Sequence, residues 1–252
     1  MCKLSVVVVS KDEETNIERC LESIKWADEI IVVDAGSTDR TLEIANRYTD
    51  RVFVRRDPEG KEGLAELNKN FGIEQANYDW ILVLDADEIV PRELKLEIRG
   101  ILQEDDGFDG YLLLRKNHFI GKWMRHGDWW GRAQNVELVR KGKGGFPQHS
   151  HQPLQVRGKI GKLKNPVIHN NHRDISDSIR KMNLYTTLEA NETDKFHLWK
   201  LLTYPVAMFG RNYVLKGGWR DGRHGLIAAG LCSVYAFVKQ AKLWEKSLRV
   251  GK

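Results

Sequence analysis

Residues 4–105 alternate between two hydrophobic periods, and that alternation leaves few folds open to the chain. Leu4–Val9 is an unbroken, largely β-branched run, the pattern of a strand buried on both faces. Ile17, Cys20, Leu21 and Ile24 follow at the i, i+3, i+4, i+7 spacing of an amphipathic helix. The strand signal returns at Glu29–Val33, Val52–Val54 and Trp80–Leu84. Between and after these, helical faces recur: Leu42, Ile44 and Ala45; Leu64, Leu67 and Phe71; and Leu94, Ile98, Ile101 and Leu102. Ser37 or Thr38 is expected to cap the second helix, and Pro91 to open the fourth. The order βαβαβαβα predicts a mostly parallel sheet with helices on both faces.

Such sheets bind ligands beyond the carboxyl ends of their strands. Here those ends are polar and acidic. Ser10 closes the first strand, with Glu13 just beyond it, Asp34 closes the second, and Asp85 and Asp87 follow the fourth. In Asp85–Ala86–Asp87–Glu88, two carboxylates two residues apart on a strand-end turn can face one space. Hard divalent ions such as Mg²⁺ or Mn²⁺ take oxygen ligands of that kind, with substrate phosphates completing the shell. Read alone, the same four residues also fit a surface turn at a helix N-terminus. In Val33–Asp34–Ala35–Gly36–Ser37–Thr38–Asp39, the strand-end carboxylate can accept from a pyrimidine N–H or a ribose hydroxyl, and Gly36 permits a tight turn. A plain strand–turn–helix connection reads the same way.

In combination these segments carry a resemblance. Ser10–Glu14, the VDAGSTD run at 33–39 and the LDADE run at 84–88 match glycosyltransferase family 2 in order, spacing and strand context. Within the family, the chain resembles the lipopolysaccharide-core β-1,4-glucosyltransferase group. Lys69–Asn70, Arg115–Lys116–Asn117, Trp129–Trp130, Lys181–Tyr185 and Gly217–Gly222 carry that further likeness.

The resemblance implies a GT-A domain at 1–172, with a nucleotide-sugar half at 1–105 and an acceptor half at 106–172, and a helical extension at 173–252. It implies an inverting hexose transfer from a nucleotide-diphosphate sugar, usually a UDP-sugar, to a glycan or lipid-linked acceptor, with Mn²⁺ or Mg²⁺. Ser10, Glu13, Asp34, Asp39, Lys69, Asn70 and Asp85 would lie along the donor, and Asp87 and His169 would meet the metal. Related sequences carry Glu where this chain has Gln152, so the base must be sought elsewhere. Asp128, set among Trp123, Trp129 and Trp130, is the first choice, with Glu137 and His151 as the others.

Charge is uneven. The chain is +5 overall, yet residues 195–252 carry 11 Lys+Arg against Asp221 and Glu245, leaving −4 for the rest. The tail's longest apolar run, Leu226–Val238, falls short of the ~20 residues that span a bilayer. It is expected either to lie on an anionic membrane surface, placing the enzyme on the inner face of the cytoplasmic membrane, or to pack on the first domain. The three cysteines form no C-x-x-C pair, which fits a reducing compartment, and the first residues do not read as a signal peptide. Two other enzyme classes are disfavoured by missing loops: no G-x-G-x-x-G and no G-x-x-x-x-G-K-[ST] follows a strand. A sugar nucleotidyltransferase would need a glycine-rich first loop that Ser10–Asn16 does not supply. A nucleic-acid-binding protein would leave the acidic rim without a purpose.

Overall fold

The computed structural model describes residues 2–55, 65–104, 106–129, 134–147, 153–192 and 196–250. The first elements are β1 (Leu4–Ser10), α1 (Ile17–Ile24), β2 (Glu29–Asp34), α2 (Thr41–Ala45), β3 (Val52–Val54), α3 (Ala65–Gln75), β4 (Trp80–Asp85), β5 (Glu88–Ile89) and α4 (Arg92–Gln103). Short strands dominate the middle: β6 (Gly110–Phe119), β7 (Lys122–Trp123), β8 (Gln134–Arg140), β9 (Gly144–Gly145), β10 (Gln155–Val156), β11 (Ile160–Lys162) and β12 (Val167–His172). Three long helices follow: α5 (Ile175–Glu192), α6 (Leu198–Phe209) and α7 (Arg223–Val250). The chain divides into two compact units. The first holds 1–115 and 133–169, the second 116–132 and 170–252. The segment 116–132 thus groups with the helices, while the resemblance implies an acceptor half running through 106–172.

In the first unit β1 lies between β2 and β4, and β3 pairs outside β2, all parallel. Flanked on both edges and covered on both faces, all seven residues of β1 are buried, which is why its sequence shows no alternation. One face packs on α1 through Ile17, Cys20, Leu21 and Ile24 and on α4 through Leu94 and Ile98. The other face, with Val7, Ile31, Val33 and Val83, packs on Ile73 and Phe71 of α3. Gly72 lets α3 come this close: a Cβ there would lie 2.2 Å from Val7 Cγ1. Beyond β4 the sheet turns antiparallel, with β8 against β4 and β6 against β8. β12 then lies next in order and pairs antiparallel with β5.

The register aligns the strand ends. Ser10 pairs with Asp34, and Val9 with Asp85, so β1, β2 and β4 finish level and their polar last residues form one rim. The expected helix cap is not made. Arg40 stands at the N-cap of α2 and makes no side-chain capping bond, while Ser37 and Thr38 are held by Asp34 and Asp12 instead.

The second unit is built on α5, α6 and α7, with a small apolar cluster of Phe119, Met124 and Ala228. α6 carries Pro205 and runs on into a π-helical turn at Gly210–Leu215, and a 3₁₀ turn at Gly218–Asp221 precedes α7. The Gly217–Gly222 motif has a steric cause. Gly217 and Gly222 adopt φ of 68° and 63°, and Gly218 and Gly225 approach so closely that a Cβ on Gly225 would lie 1.8 Å from the Gly218 carbonyl. Asp221, buried inside this turn, accepts from the backbone N–H groups of Arg125 and His126 and so fixes the 121–129 loop.

Candidate active site

Asp34 is fully buried, and its carboxylate is full. Oδ1 accepts from the Gly36 and Ser37 N–H groups at 2.9 and 2.6 Å, and Oδ2 from the Ser10 and Ser37 hydroxyls at 2.8 and 2.6 Å. A carboxylate offers about four lone-pair sites, so none is left for a nucleotide. In this arrangement Asp34 shapes the turn after β2, where the sequence suggested a ligand contact. The neighbouring loop is laced to it. Asp12, at a φ of 52°, accepts from the Thr38 N–H, the Glu13 N–H reaches the Thr41 hydroxyl, and the Glu14 N–H reaches Asp39 Oδ2. Burial works against the Asp39 charge, but bonds from Thr41 and Glu14 hold its pKa below the usual aspartate value. The Glu13 side chain accepts from Asn16. Ser10, Glu13, Asp34 and Asp39 are therefore brought together as one braced floor beyond β1 and β2.

Past the end of β4 the charges concentrate. Lys69 Nζ lies 2.8 Å from Asp85 Oδ1, and Arg115 Nη2 3.8 Å from Asp85 Oδ2. Arg115 also binds Glu88 at 2.5 Å and Glu137 at 2.8 Å, and Glu88 accepts the Asp85 N–H. Burial favours the neutral form of Asp85, yet Lys69 and then Arg115 outweigh it and keep the pKa below the usual carboxylate range. Burial likewise works against the charge on Lys69 and on Arg115, and the surrounding carboxylates raise both pKa values in spite of it. Glu137, 1% exposed, goes the other way: burial pushes its carboxyl up more than Arg115 and Lys69 pull it down. So enclosed and bonded to Arg115, Glu137 is placed to fix that guanidinium rather than to face open solvent.

Asp87 and His169 come together. The turn after β4 presents Asp87, and the pairing of His169 with Glu88 across β12 and β5 sets the imidazole beside it, Nε2 3.4 Å from Oδ1. Burial lowers the His169 pKa, but Asp87 more than offsets this and raises it above the ordinary histidine value. No group of three or more His, Cys, Asp or Glu able to hold a metal occurs among the described residues. The donor set present is one carboxylate and one imidazole, with Asp85 beside it, which fits an ion that draws the rest of its shell from a ligand. Counted together, Asp85, Asp87, Glu88 and Glu137 set four carboxylates against the two permanent cations Lys69 and Arg115.

Asn70 is engaged by backbone. Its amide donates to the Phe146 carbonyl and accepts the Phe146 N–H, both at 2.7 Å, so it clasps the loop after β9 rather than facing a donor. Two residues of the network, Arg115 and Glu88, were not picked out as site residues from sequence. An arginine directly after the apolar run Tyr111–Leu114, on the same strand, was the available signal, since a buried arginine demands carboxylate partners.

In the second unit Asp128 stands at a φ of 75°, held by Arg211 at 2.7 Å with Lys216 at 3.8 Å. Trp123 lies between the cations of Lys116 and Arg125. Trp129 packs edge-on against Phe119 and His172. Two segments of the family likeness meet here: Trp129, Lys181, Met182 and Tyr185 line a cavity of about 380 Å³ together with Met208 and Tyr235. His151 and Trp130 lie outside the described residues.

The glycosyl transferase family 2 model matches residues 5–156. The chain is 30% identical to the lipopolysaccharide core biosynthesis glycosyltransferase LpsC of Rhizobium meliloti, covering 96% of this chain and 92% of LpsC. An uncharacterized glycosyltransferase of Rickettsia typhi is 28% identical over 99% of this chain and 89% of its own length. Among solved structures, residues 1–349 of S. aureus TarS, crystallised with UDP, superpose with a TM-score of 0.50 at 17% identity, covering 99% and 92% of the two chains. At that identity the superposition speaks for the fold, the GT-A arrangement of parallel strands extended by a C-terminal helical part. With the matched model spanning the strands that form the acidic rim, and a relative aligned nearly end to end, the chain belongs to glycosyltransferase family 2 and is a glycosyltransferase.

Proposed function

We propose that the protein transfers a hexose, with inversion, from a UDP-sugar to a cell-envelope glycan or lipid-linked acceptor at the inner face of the cytoplasmic membrane. The observation that carries this reading is the four-carboxylate cluster at the end of β4, set around two permanent cations with His169 against Asp87. Mn²⁺ or Mg²⁺ held by Asp87 and His169 would bring those charges into balance, with the donor diphosphate completing the shell. Bound there, the ion supplies charge neutralisation for the departing diphosphate. TarS has been crystallised with UDP and with UDP-GlcNAc, and LpsC is a lipopolysaccharide core biosynthesis glycosyltransferase; both support the donor and acceptor classes for this chain.

The chain's own groups then divide the work. Lys69 and Arg115 hold Asp85 ionised and oriented, leaving it 35% exposed toward a ribose. Asp34 and Asp12 brace the two loops that form the nucleoside floor, so that Ser10, Glu13 and Asp39 need not reorganise on binding. Single displacement needs a base for the acceptor hydroxyl. Asp128 and His151 keep that role in this reading, and Glu137 becomes a positioning residue that fixes Arg115. Nucleotide release measured across UDP-, GDP- and dTDP-hexoses with Mn²⁺ or Mg²⁺ tests the proposal. Release from a UDP-sugar should dominate and require the metal. Metal-independent release, or preference for another nucleotide, refutes it.

A further inference from the structure

Exposed apolar surface is not spread evenly over this molecule. Of the twenty large hydrophobic side chains that are exposed among the described residues, seventeen belong to the second unit. α6 contributes no buried residue at all. Its Leu202 and Val206 are 70% and 73% exposed, and Leu215, at the tip of the turn that follows, is 81% exposed. On α7 the apolar run Leu226–Val238 is split by the helix period. Ala228, Ala229 and Ala236 are buried, while Ile227, Val234 and Phe237 stand outward at i, i+7, i+10 and form one lengthwise stripe. The two helices pack together, joined by the Ser233 hydroxyl bonding the Pro205 carbonyl, and each keeps an apolar face uncovered. A monomer in water does not keep so much contiguous apolar surface without a use for it.

The charges next to this surface select its partner. Lys200, Arg220 and Arg223 lie on or beside α6 and the turns after it, with Arg211 and Lys216 sharing the one carboxylate of Asp128, whereas the acids from 196 to 250 are only Asp221, which is buried, and Glu245. A second copy of the same face would bring cation against cation. An anionic lipid surface supplies both the apolar interior and the phosphates that such a face lacks. α7 is long and apolar enough to cross a bilayer. Its other side, however, is committed to polar partners on α5: Lys239 and Tyr235 bind Glu189, and Lys242 binds Asn183 and Thr186. A spanning α7 would drag those groups into hydrocarbon.

We infer that α6, the turn bearing Leu215 and the outward stripe of α7 form a bilayer-docking face that lies in the headgroup region of an anionic membrane, with the flanking cations on lipid phosphates. This deepens the membrane-side reading above by naming the surface, and it does not depend on which sugar is transferred. The experiment is vesicle co-sedimentation of the full chain, with phosphatidylglycerol–phosphatidylcholine vesicles against pure phosphatidylcholine. Binding should need the anionic lipid and fall with salt. The double variant Leu202→Glu/Val206→Glu should weaken partitioning by about tenfold or more. Leu96→Glu, at an exposed site on α4 of the first unit, should leave it unchanged. If the double variant proves unfolded by circular dichroism, Leu215→Glu at the turn tip reads the same surface. Calorimetric UDP binding by the same variants separates this idea from the transfer reading, because it should not move. The inference is overturned if the wild type stays in the supernatant at low salt or if the variants bind vesicles as the wild type does. It is equally overturned if the protein resists carbonate extraction from cell membranes, the mark of a spanning helix, or if sedimentation velocity shows a dimer that Leu202→Glu/Val206→Glu dissolves.

Discussion

Asp87 and His169 face each other, Oδ1 to Nε2, across 3.4 Å, although one follows β4 and the other ends the first unit on β12. The contact exists because β5, only two residues long, captures β12 in antiparallel register. If the pair holds a divalent ion, each half should matter to donor binding and not to folding. Asp87→Ala and His169→Ala are each expected to weaken UDP binding in Mn²⁺ by about tenfold or more, with the circular dichroism spectrum unchanged. Calorimetry that finds wild-type affinity in both variants disposes of the metal assignment.

Asp34 should behave differently. Removing its carboxylate leaves the Gly36 and Ser37 N–H groups and two hydroxyls without their buried acceptor. Asp34→Ala is therefore expected to cost on the order of 3 kcal/mol of folding stability, read by urea unfolding. Asp39→Ala, at a partly exposed site, should cost about 1 kcal/mol or less. Equal midpoints for the Asp34 variant and wild type would return Asp34 to the role of a ligand contact.

Arg115 serves Glu88 through Nε and Glu137 through Nη2, with Asp85 beyond. Lysine has one point charge in place of that fork. Arg115→Lys should destabilise the first unit by about 3 kcal/mol, since carboxylates remain buried with fewer donors. Glu137→Gln keeps an acceptor for Arg115 and removes one of the crowded negative charges, so it should cost far less. The ranking is the test: a Glu137→Gln protein less stable than Arg115→Lys contradicts the network as described.

Two glycines on α7 make a matched pair. A Cβ on Gly225 collides with the Gly218 carbonyl, whereas one on Gly230 meets nothing within 4 Å. Gly225→Ala should lower the melting temperature of the protein. Gly230→Ala should raise stability by about 0.5–1 kcal/mol through helix propensity alone. Thermal scans giving the same sign for both would show that the turn yields.

Acid should loosen the start of α5. Burial favours the neutral form of Asp177, but Arg180, Lys181 and Arg173 prevail and hold its pKa below the ordinary aspartate value. A depressed carboxylate stabilises the fold above the unfolded pKa of ~4 and loses that contribution as pH falls through the folded value. Asp177→Asn should thus narrow the stability gap between pH 6 and acid, at about 2 kcal/mol lower stability at neutral pH. An Asn variant with the wild-type pH profile excludes Asp177 as a source of acid sensitivity.

The parallel half of the sheet was legible because each buried strand and each helical face there repeats its own period, as in Leu4–Val9 and Ile17–Ile24. The rim was legible too, since Ser10, Asp34 and Asp85 close strands and Asp87 lies in the turn just after β4. What the sequence hid was how each acid is partnered. Asp34 and Asp87 sit in the same kind of position, but the Ser10 and Ser37 hydroxyls saturate the first, while the second meets His169 through a β5–β12 pairing that no local pattern announces. The assignment of 116–132 to the helical unit was hidden for a similar reason. It depends on Asp221, far along the chain, bonding the Arg125 and His126 backbone.

Gly72 carries no chemistry, yet the charge at the rim depends on it. α3 rides against Val7 and Val33 only because that position has no Cβ, and Lys69 sits less than one turn earlier on the same helix. A single added methyl would lift α3 off the sheet and draw the ammonium away from Asp85, altering the electrostatic balance at the end of β4 without touching an ionisable group. In this protein the strength of a charged site is tuned by a contact between hydrocarbons.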